Sequence, residues 1–265
     1  MKFFVFQQRV IKSISGSIVV IGLLGVLAGC ASLGTYNPAT GRKELIFIST
    51  PAEISMGRDI HAQLQQEFKL SQDTGKIARL NRLGQQVAQV SDRQDYQYHF
   101  YLIEKDELNA FTVPGGSVYM FTGLMDRLNS DDEIAGVLAH EVGHCAARHT
   151  IKKFQAGMSY SIIGNLVLSR LQLENQAKQL IAQGSGTVMK LIFSAYSRGD
   201  EFEADKLGVK YMHLARYDPQ AMIKTFELLE QKSKGPAVPL ILRTHPYIKD
   251  RITRVREEIQ KIKNE

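Results

Sequence analysis

His140-Glu141-Val142-Gly143-His144 is the stretch of this 265-residue chain whose residue types and spacing most plainly allow chemistry. On a helix, side chains four apart lie on one face, about 6 Å apart along the axis, so both imidazoles can converge on one metal ion. Glu141 falls near that face, where it can take a proton from a water whose acidity the metal has raised. The pattern HExxH is expected about 0.01 times by chance in a chain with this composition, so accident is a poor explanation of it. At about 100° per residue, Ile134, Leu138, Ala139, Val142, Cys145 and Ala146 fill one broad arc, and Gly136, Gly143 and Ala147 form a small-residue stripe on another. Such a helix is expected to be buried nearly all round, with a second backbone close against the stripe. Two histidines and a carboxylate buried there need compensation, and a metal supplies it.

A catalytic zinc takes three protein ligands and keeps one position open. A third histidine six residues after His144 would need a glycine at 147 and a histidine at 150, where the chain has Ala147 and Thr150. His149, five places past His144, is expected to point well off the metal face. Downstream, the run from Ser197 to Asp205 places Glu201 and Asp205 one helical turn apart. One of them can ligate the metal while the other accepts the free N–H of a ligating histidine. Glu203 is rotated about 200° from Glu201 and is expected to face elsewhere. On spacing alone, the same carboxylates also suit a solvated acidic face.

These residues need elements to hold them. Ser130-Asp131-Asp132-Glu133 is a capping-box pattern that opens the HExxH helix, which is expected to reach about His149. Earlier, Thr50-Pro51-Ala52-Glu53 starts a helix running to about Leu70, after a short apolar segment at 44–49. A second helix begins near Asp73 and carries Ile77, Leu80, Leu83, Val87 and Val90 at helical spacing. Residues 98–104, 110–113 and 117–121 are rich in β-branched and aromatic types and read as strands, with a hairpin at Pro114-Gly115-Gly116. Helices are expected near 200–215, 219–232 and 249–263, and 158–171 reads as a core or lid helix. The fold class is therefore α+β and mostly helical.

HExxH followed by Ser197-Arg198, Glu201 and Ala204-Asp205 resembles metallopeptidase family forty-eight of the gluzincins, the group of BepA, HtpX and the CAAX prenyl proteases. Asn37-Pro38, Thr40-Gly41-Arg42, Asn109-Ala110-Phe111, Pro114-Gly115-Gly116, Thr244-His245-Pro246 and Arg251-Ile252 all have counterparts in the BepA-type and mitochondrial Oma-type members. The resemblance implies a gluzincin-like domain with a small sheet beside the HExxH helix and one Zn2+ per chain, held by His140, His144 and Glu201. It also implies Glu141 as general base, with Asp205 supporting the site. The strand Asn109, Ala110, Phe111 resembles an edge strand that pairs with extended substrate, although a plain hairpin strand looks the same. His245 is similar to a histidine that fills the open metal position and holds the enzyme idle; its alternative is a surface loop. Arg198 either stabilises an oxyanion or pairs with an acid, and His213 reads as structural. Unlike some members, the chain has no multi-span membrane region and no room for a C-terminal tetratricopeptide array, so substrate range does not carry over.

Lys2, Arg9 and Lys12, then an apolar run over 14–27 and Leu27-Ala28-Gly29-Cys30, read as a signal peptide too short for a comfortable span. The last four residues resemble a bacterial lipoprotein cleavage box. That implies lipidation at Cys30 and a domain order of 1–29 signal peptide, 30–48 tether with a short strand, and 49–265 peptidase. Ala31 after the cysteine favours the outer membrane over the inner by the same resemblance. With Cys30 lipidated, Cys145 has no partner for a disulfide. The formal charge of +6 falls to +3 without the first 29 residues, too little to argue for nucleic acid. The expected partners are unfolded or misassembled envelope proteins, the membrane through the lipid, and envelope assembly machinery. The rival reading is a non-catalytic chaperone or assembly-factor lipoprotein that uses the groove only to bind, and the intact Glu141 speaks against it.

Overall fold

The computed structural model describes residues 34–157, 185–235 and 238–264. Cys30, the signal-peptide segment and the helix expected at 158–171 lie outside the described residues. The chain divides into two compact units. In the smaller, β1 (Thr35–Asn37) pairs antiparallel with β2 (Arg42–Glu44), and Asn37 Nδ2 donates to Glu44 Oε2 at 3.0 Å. Strand pairing thus ends at Glu44, the first residue of the segment read as apolar at 44–49.

The larger unit holds the remaining elements. Helix α1 (Thr50–Glu67) is capped by Ser49, whose hydroxyl accepts from Ala52 N, with Pro51 in the first turn. The cap is one residue earlier than the capping-box pattern suggested, because Thr50 donates to Asp95 instead and Glu53 turns into the core. Helix α2 (Thr74–Ala88) starts from Asp73, which accepts from Lys76 N at 2.9 Å. Strands β3 (His99–Ile103), β4 (Ala110–Val113) and β5 (Ser117–Phe121) follow. The sheet order is β3-β5-β4, with β3 parallel and β4 antiparallel to the central strand. The β4–β5 turn needs Gly115 and Gly116, at φ +80 and +85.

A short α3 (Thr122–Met125) leads to α4 (Asp131–Ala146), which carries the HExxH residues. Ser130 caps α4 by accepting from Glu133 N, while Glu133 reaches back to Asn129 N. Every α4 residue from Glu133 onward is buried, as an apolar, compact helix requires. The helix stops short of His149. Arg148 adopts φ +56, a left-handed backbone unusual for a side chain larger than glycine, and a new helix α5 (His149–Gly157) begins at once. The turn is held from outside: Arg148 donates to Ile48 O at 2.8 Å and to the buried Glu53 at 3.0 Å. Glu53 also receives both terminal nitrogens of Arg93, one of which reaches Cys145 O at the end of α4. Gly115 N meets the same carboxylate at 3.4 Å, so one buried ion cluster ties α1, the hairpin turn and the end of α4 together.

Helices α6 (Ser185–Ile192), α7 (Arg198–Leu214), α8 (Gln220–Ser233), α9 (Leu240–Thr244) and α10 (Ile248–Lys263) complete the unit. The short α9 was not anticipated. Among the described residues no helix is long and apolar enough to cross a membrane. The core gathers Leu80, Leu83 and Val87 of α2, Phe100 and Met120 of the sheet, Leu138 and Val142 of α4, and Tyr211, Met222 and Val255 of the later helices.

Helix α7 crosses α4 at close range. A Cβ added to Gly143 would lie 2.7 Å from Ala204 O, and one on Gly208 would lie 3.2 Å from His140 N. Gly136 differs, because its nearest neighbour would be Met222 Cα at 3.5 Å, an ordinary contact. Gly143→Ala is therefore expected to destabilise by about 1–3 kcal/mol by overpacking. Gly136→Ala is expected to be neutral or stabilising by up to about 1 kcal/mol through helix propensity. Urea midpoints with unchanged slopes measure both, and equal effects at the two positions would contradict the close crossing.

Candidate metal centre

Two helices bring the site together. α4 supplies His140, Glu141 and His144, and α7 supplies Glu201 and Asp205 from its first two turns. α7 starts at Ser197 with a full capping box: Ser197 Oγ accepts from Asp200 N and Asp200 accepts from Ser197 N. This cap fixes the helix phase that turns Glu201 and Asp205 toward α4. His245 enters from the segment between α9 and α10.

His140, His144, Glu201 and His245 each present a ligand atom, all within 4.8 Å of one another and all on buried residues. His140 Nε2 lies 3.0 Å from His144 Nε2 and 3.2 Å from His245 Nδ1. Glu201 Oε1 stands 3.3 Å from His144 Nε2 and 3.1 Å from His245 Nδ1. Glu141 sits beside this group, its Oε1 3.5 Å from His245 Nε2 and its Oε2 buried without a hydrogen-bond partner. The other nitrogen of His140, Nδ1, meets Asp205 Oδ1 at 2.8 Å. With that bond donated, His140 Nε2 carries a lone pair aimed at the cluster. Converging acceptors of this kind, with a fully buried orphan carboxylate oxygen alongside, fit a divalent cation bound by nitrogen and oxygen donors.

Burial by itself would raise the Glu201 carboxyl, but Arg251, His245 and the contact with His144 outweigh it and hold it well below the usual range. Burial pushes the His144 imidazole well below its ordinary value, which keeps it in the neutral form a metal requires. Burial pushes Glu141 up, against the pull of His245 and His140. A carboxylate raised in this way is a stronger base than a solvated one.

Several expected residues are elsewhere. Arg198 pairs with Asp250 at 2.9 Å and stacks over Tyr247, with 58% of its side chain exposed, so of its two readings the structure shows the pairing with an acid. His213 is exposed in the last turn of α7. Ala110 and Phe111 lie on β4, one of the two edge strands of the sheet, and Asn109 just precedes it with both side-chain polar atoms buried and unpaired.

Three residues of the site escaped sequence reasoning. Arg251 of α10 is buried and ion-pairs with Glu201 Oε2 at 2.6 Å and Asp205 Oδ1 at 2.7 Å. It bridges the two carboxylates, offsets one of their two negative charges, and leaves Glu201 one oxygen for the cluster. Its cue was its place after Thr244-His245-Pro246, but a lone arginine on an amphipathic helix gives no sign of burial. Tyr196 stacks on His144 with centroids 3.9 Å apart, and His149 meets His144 Nδ1 at 2.9 Å. His149 stays out of the donor group, as expected, but the break at Arg148, which has no signature in the sequence, sets it against the far side of His144.

A model of peptidase family M48 matches residues 75–259. The chain belongs to peptidase family M48. Among curated M48 relatives, the beta-barrel assembly-enhancing protease of Escherichia coli (strain K12) is 27% identical over 260 residues, 95% of this chain and 53% of that protein. The mitochondrial metalloendopeptidase OMA1 of Schizosaccharomyces pombe is 28% identical over 227 residues, 84% and 65% of the two chains. The putative beta-barrel assembly-enhancing protease of Vibrio cholerae is 31% identical over 185 residues, 67% of this chain and 38% of that protein. The chain spans about half the length of the first of these relatives. M48 membership agrees with the buried donor cluster and the mostly helical fold.

Asp205 offers a test of the architecture. Burial opposes its ionisation, but Arg251 and His140 win and hold its carboxyl below the usual value. A depressed carboxyl contributes stability that is complete above its unfolded pKa of about 3.9 and is lost as pH falls through the lower folded value. In chelator-treated protein, Asp205→Asn is expected to lower stability at pH 7, with the gap from wild type narrowing below about pH 4. The same substitution is expected to weaken metal binding by about 10–100-fold in chelator competition.

Proposed function

We propose that the chain is a zinc-dependent endopeptidase that hydrolyses peptide bonds in misfolded or stalled envelope proteins. It works at the periplasmic face of a bacterial outer membrane, tethered by a lipid on Cys30. The observation that carries the catalytic part is the convergence of His140, His144 and Glu201 with Glu141 alongside. Two imidazoles and one carboxylate are a donor set suited to catalytic zinc. When bound there, zinc supplies Lewis acidity toward water and the scissile carbonyl.

The protein's own groups do the rest. Glu141, raised by burial, accepts the proton of the attacking water and delivers it to the departing amine. Asp205 and Arg251 keep His140 and Glu201 oriented. β4, with Asn109, Ala110 and Phe111, offers its outer edge to an extended substrate backbone. His245 occupies the space between Glu201 and Glu141, so this conformation is the idle one and substrate must displace the imidazole. The envelope setting is supported by the Leu27-Ala28-Gly29-Cys30 box and by the names of the bacterial relatives, which speak of beta-barrel assembly.

The test compares wild type, Glu141→Gln and His245→Ala on an unfolded protein substrate, each with and without a chelator. Glu141→Gln is expected to lower the rate by about 10²–10⁴-fold while still binding one zinc per chain. His245→Ala is expected to raise the rate, and the chelator to abolish it in every form. Equal cleavage by wild type and Glu141→Gln, or none by any form, would favour a client-binding lipoprotein over a peptidase.

A further inference from the structure

His144 and His149 face each other through their Nδ1 atoms at 2.9 Å, both with fully buried side chains. Two imidazole nitrogens at that distance need one hydrogen between them: one must be N–H and the other a lone pair. The far side of His149 decides which. Its Nε2 lies 3.2 Å from Glu203 Oε2 and 3.5 Å from Asp200 Oδ1. Carboxylates only accept, so His149 Nε2 carries a hydrogen. In the neutral ring His149 Nδ1 is then the lone pair, and the hydrogen in the Nδ1–Nδ1 contact belongs to His144. The remaining nitrogen of His144, Nε2, is left bare, and it is the one that lies 3.0 Å from His140 Nε2 and 3.3 Å from Glu201 Oε1.

The opposite arrangement fails at the carboxylates. A hydrogen on His144 Nε2 leaves a lone pair on its Nδ1, so His149 must carry its own hydrogen on Nδ1. The neutral His149 ring then turns a bare Nε2 to Glu203 and Asp200, acceptor against acceptor in a buried site, where an unmade hydrogen bond costs most.

We infer that His149, held by Glu203, is a positioning residue that fixes His144 in the Nδ1–H tautomer and so reserves Nε2 for the metal. The inference rests on the metal-binding reading of the site. It gives the two histidines of the motif matching supports: His140 leans on Asp205 directly, and His144 leans on Glu203 through an intervening imidazole. Tyr196, stacked on the His144 ring, limits its tilt. Both supporting carboxylates come from α7, the helix that also carries Glu201. Glu203, rotated away from Glu201, reaches the site from behind only because the left-handed Arg148 swings His149 between them.

The experiment measures zinc affinity by chelator competition at fixed pH for wild type, His149→Phe, His149→Asn and Glu203→Gln, with nitrogen-15 imidazole spectra of the wild type. Phe fills the space but cannot accept a hydrogen bond, so a loss of about 10–100-fold is expected. Asn can present its carbonyl oxygen where Nδ1 stood, so it should recover most of that loss. Glu203→Gln should fall between the two. The wild-type spectrum should show His144 protonated at Nδ1 and coordinated through Nε2, a readout that does not depend on any variant folding. Equal zinc affinity in all four forms, or coordination of His144 through Nδ1, overturns the role of His149 and leaves the metal site standing. Failure of the wild type to bind zinc overturns both.

Discussion

The closeness of α4 and α7 governs the site. Gly143 faces the backbone of Ala204, and Gly208 faces the backbone of Ala139 and His140, so the helices meet with almost no side chain between them. Ala204 sits between Glu201 and Asp205 in the chain, and Gly143 sits next to His144. The contact surface and the ligand-bearing surface are therefore the same stretch of each helix, and the separation of the donors follows from the separation of the backbones. Any side chain larger than hydrogen at Gly143 would push α7 outward and carry its carboxylates away from both imidazoles.

Close packing of that kind buries charge, and the chain balances it within a few ångströms. Glu201 and Asp205 are both buried, and one guanidinium, Arg251, spans them. Its hold on Glu201 Oε2 leaves Oε1 toward the histidines, so the counter-ion also fixes which oxygen faces the cluster. A cation this deeply buried is tolerated because two carboxylates hold it; without its partners it would be strongly destabilising. The histidine pair is constrained by the same logic, each ring committing one nitrogen outward and turning the other inward.

A second buried ion cluster, outside the donor group, shapes the site from a distance. Glu53 gathers Arg93, Arg148 and Gly115 N, and through them α1, the end of α4 and the β4–β5 turn. It stabilises a left-handed Arg148 that would otherwise cost about 1 kcal/mol or more. That turn ends α4 early and sends His149 back toward His144. The hairpin that presents β4 and the turn that presents His149 thus share one anchor.

By itself, the sequence determined the chemistry and most of the local structure. HExxH on a helix, the Ser130 cap, the three strands, the Pro114-Gly115-Gly116 hairpin and the small-residue stripe at Gly143 all follow from near neighbours in the chain, where periodicity, capping and turn preferences are strong. Glu201 and Asp205 could be placed one turn apart, but spacing left open whether they faced a metal or solvent, and only resemblance to a family chose between them. The tertiary structure decided what depends on contacts between distant segments. It decided that Arg251 is buried, that Arg198 is a surface partner of Asp250, that His245 lies among the donors, and that α4 stops before His149. Each of these turns on a partner 40 or more residues away, such as Glu53 for Arg148 at a separation of 95. No local preference encodes such a partner, because the energy that selects it exists only once the helices have packed.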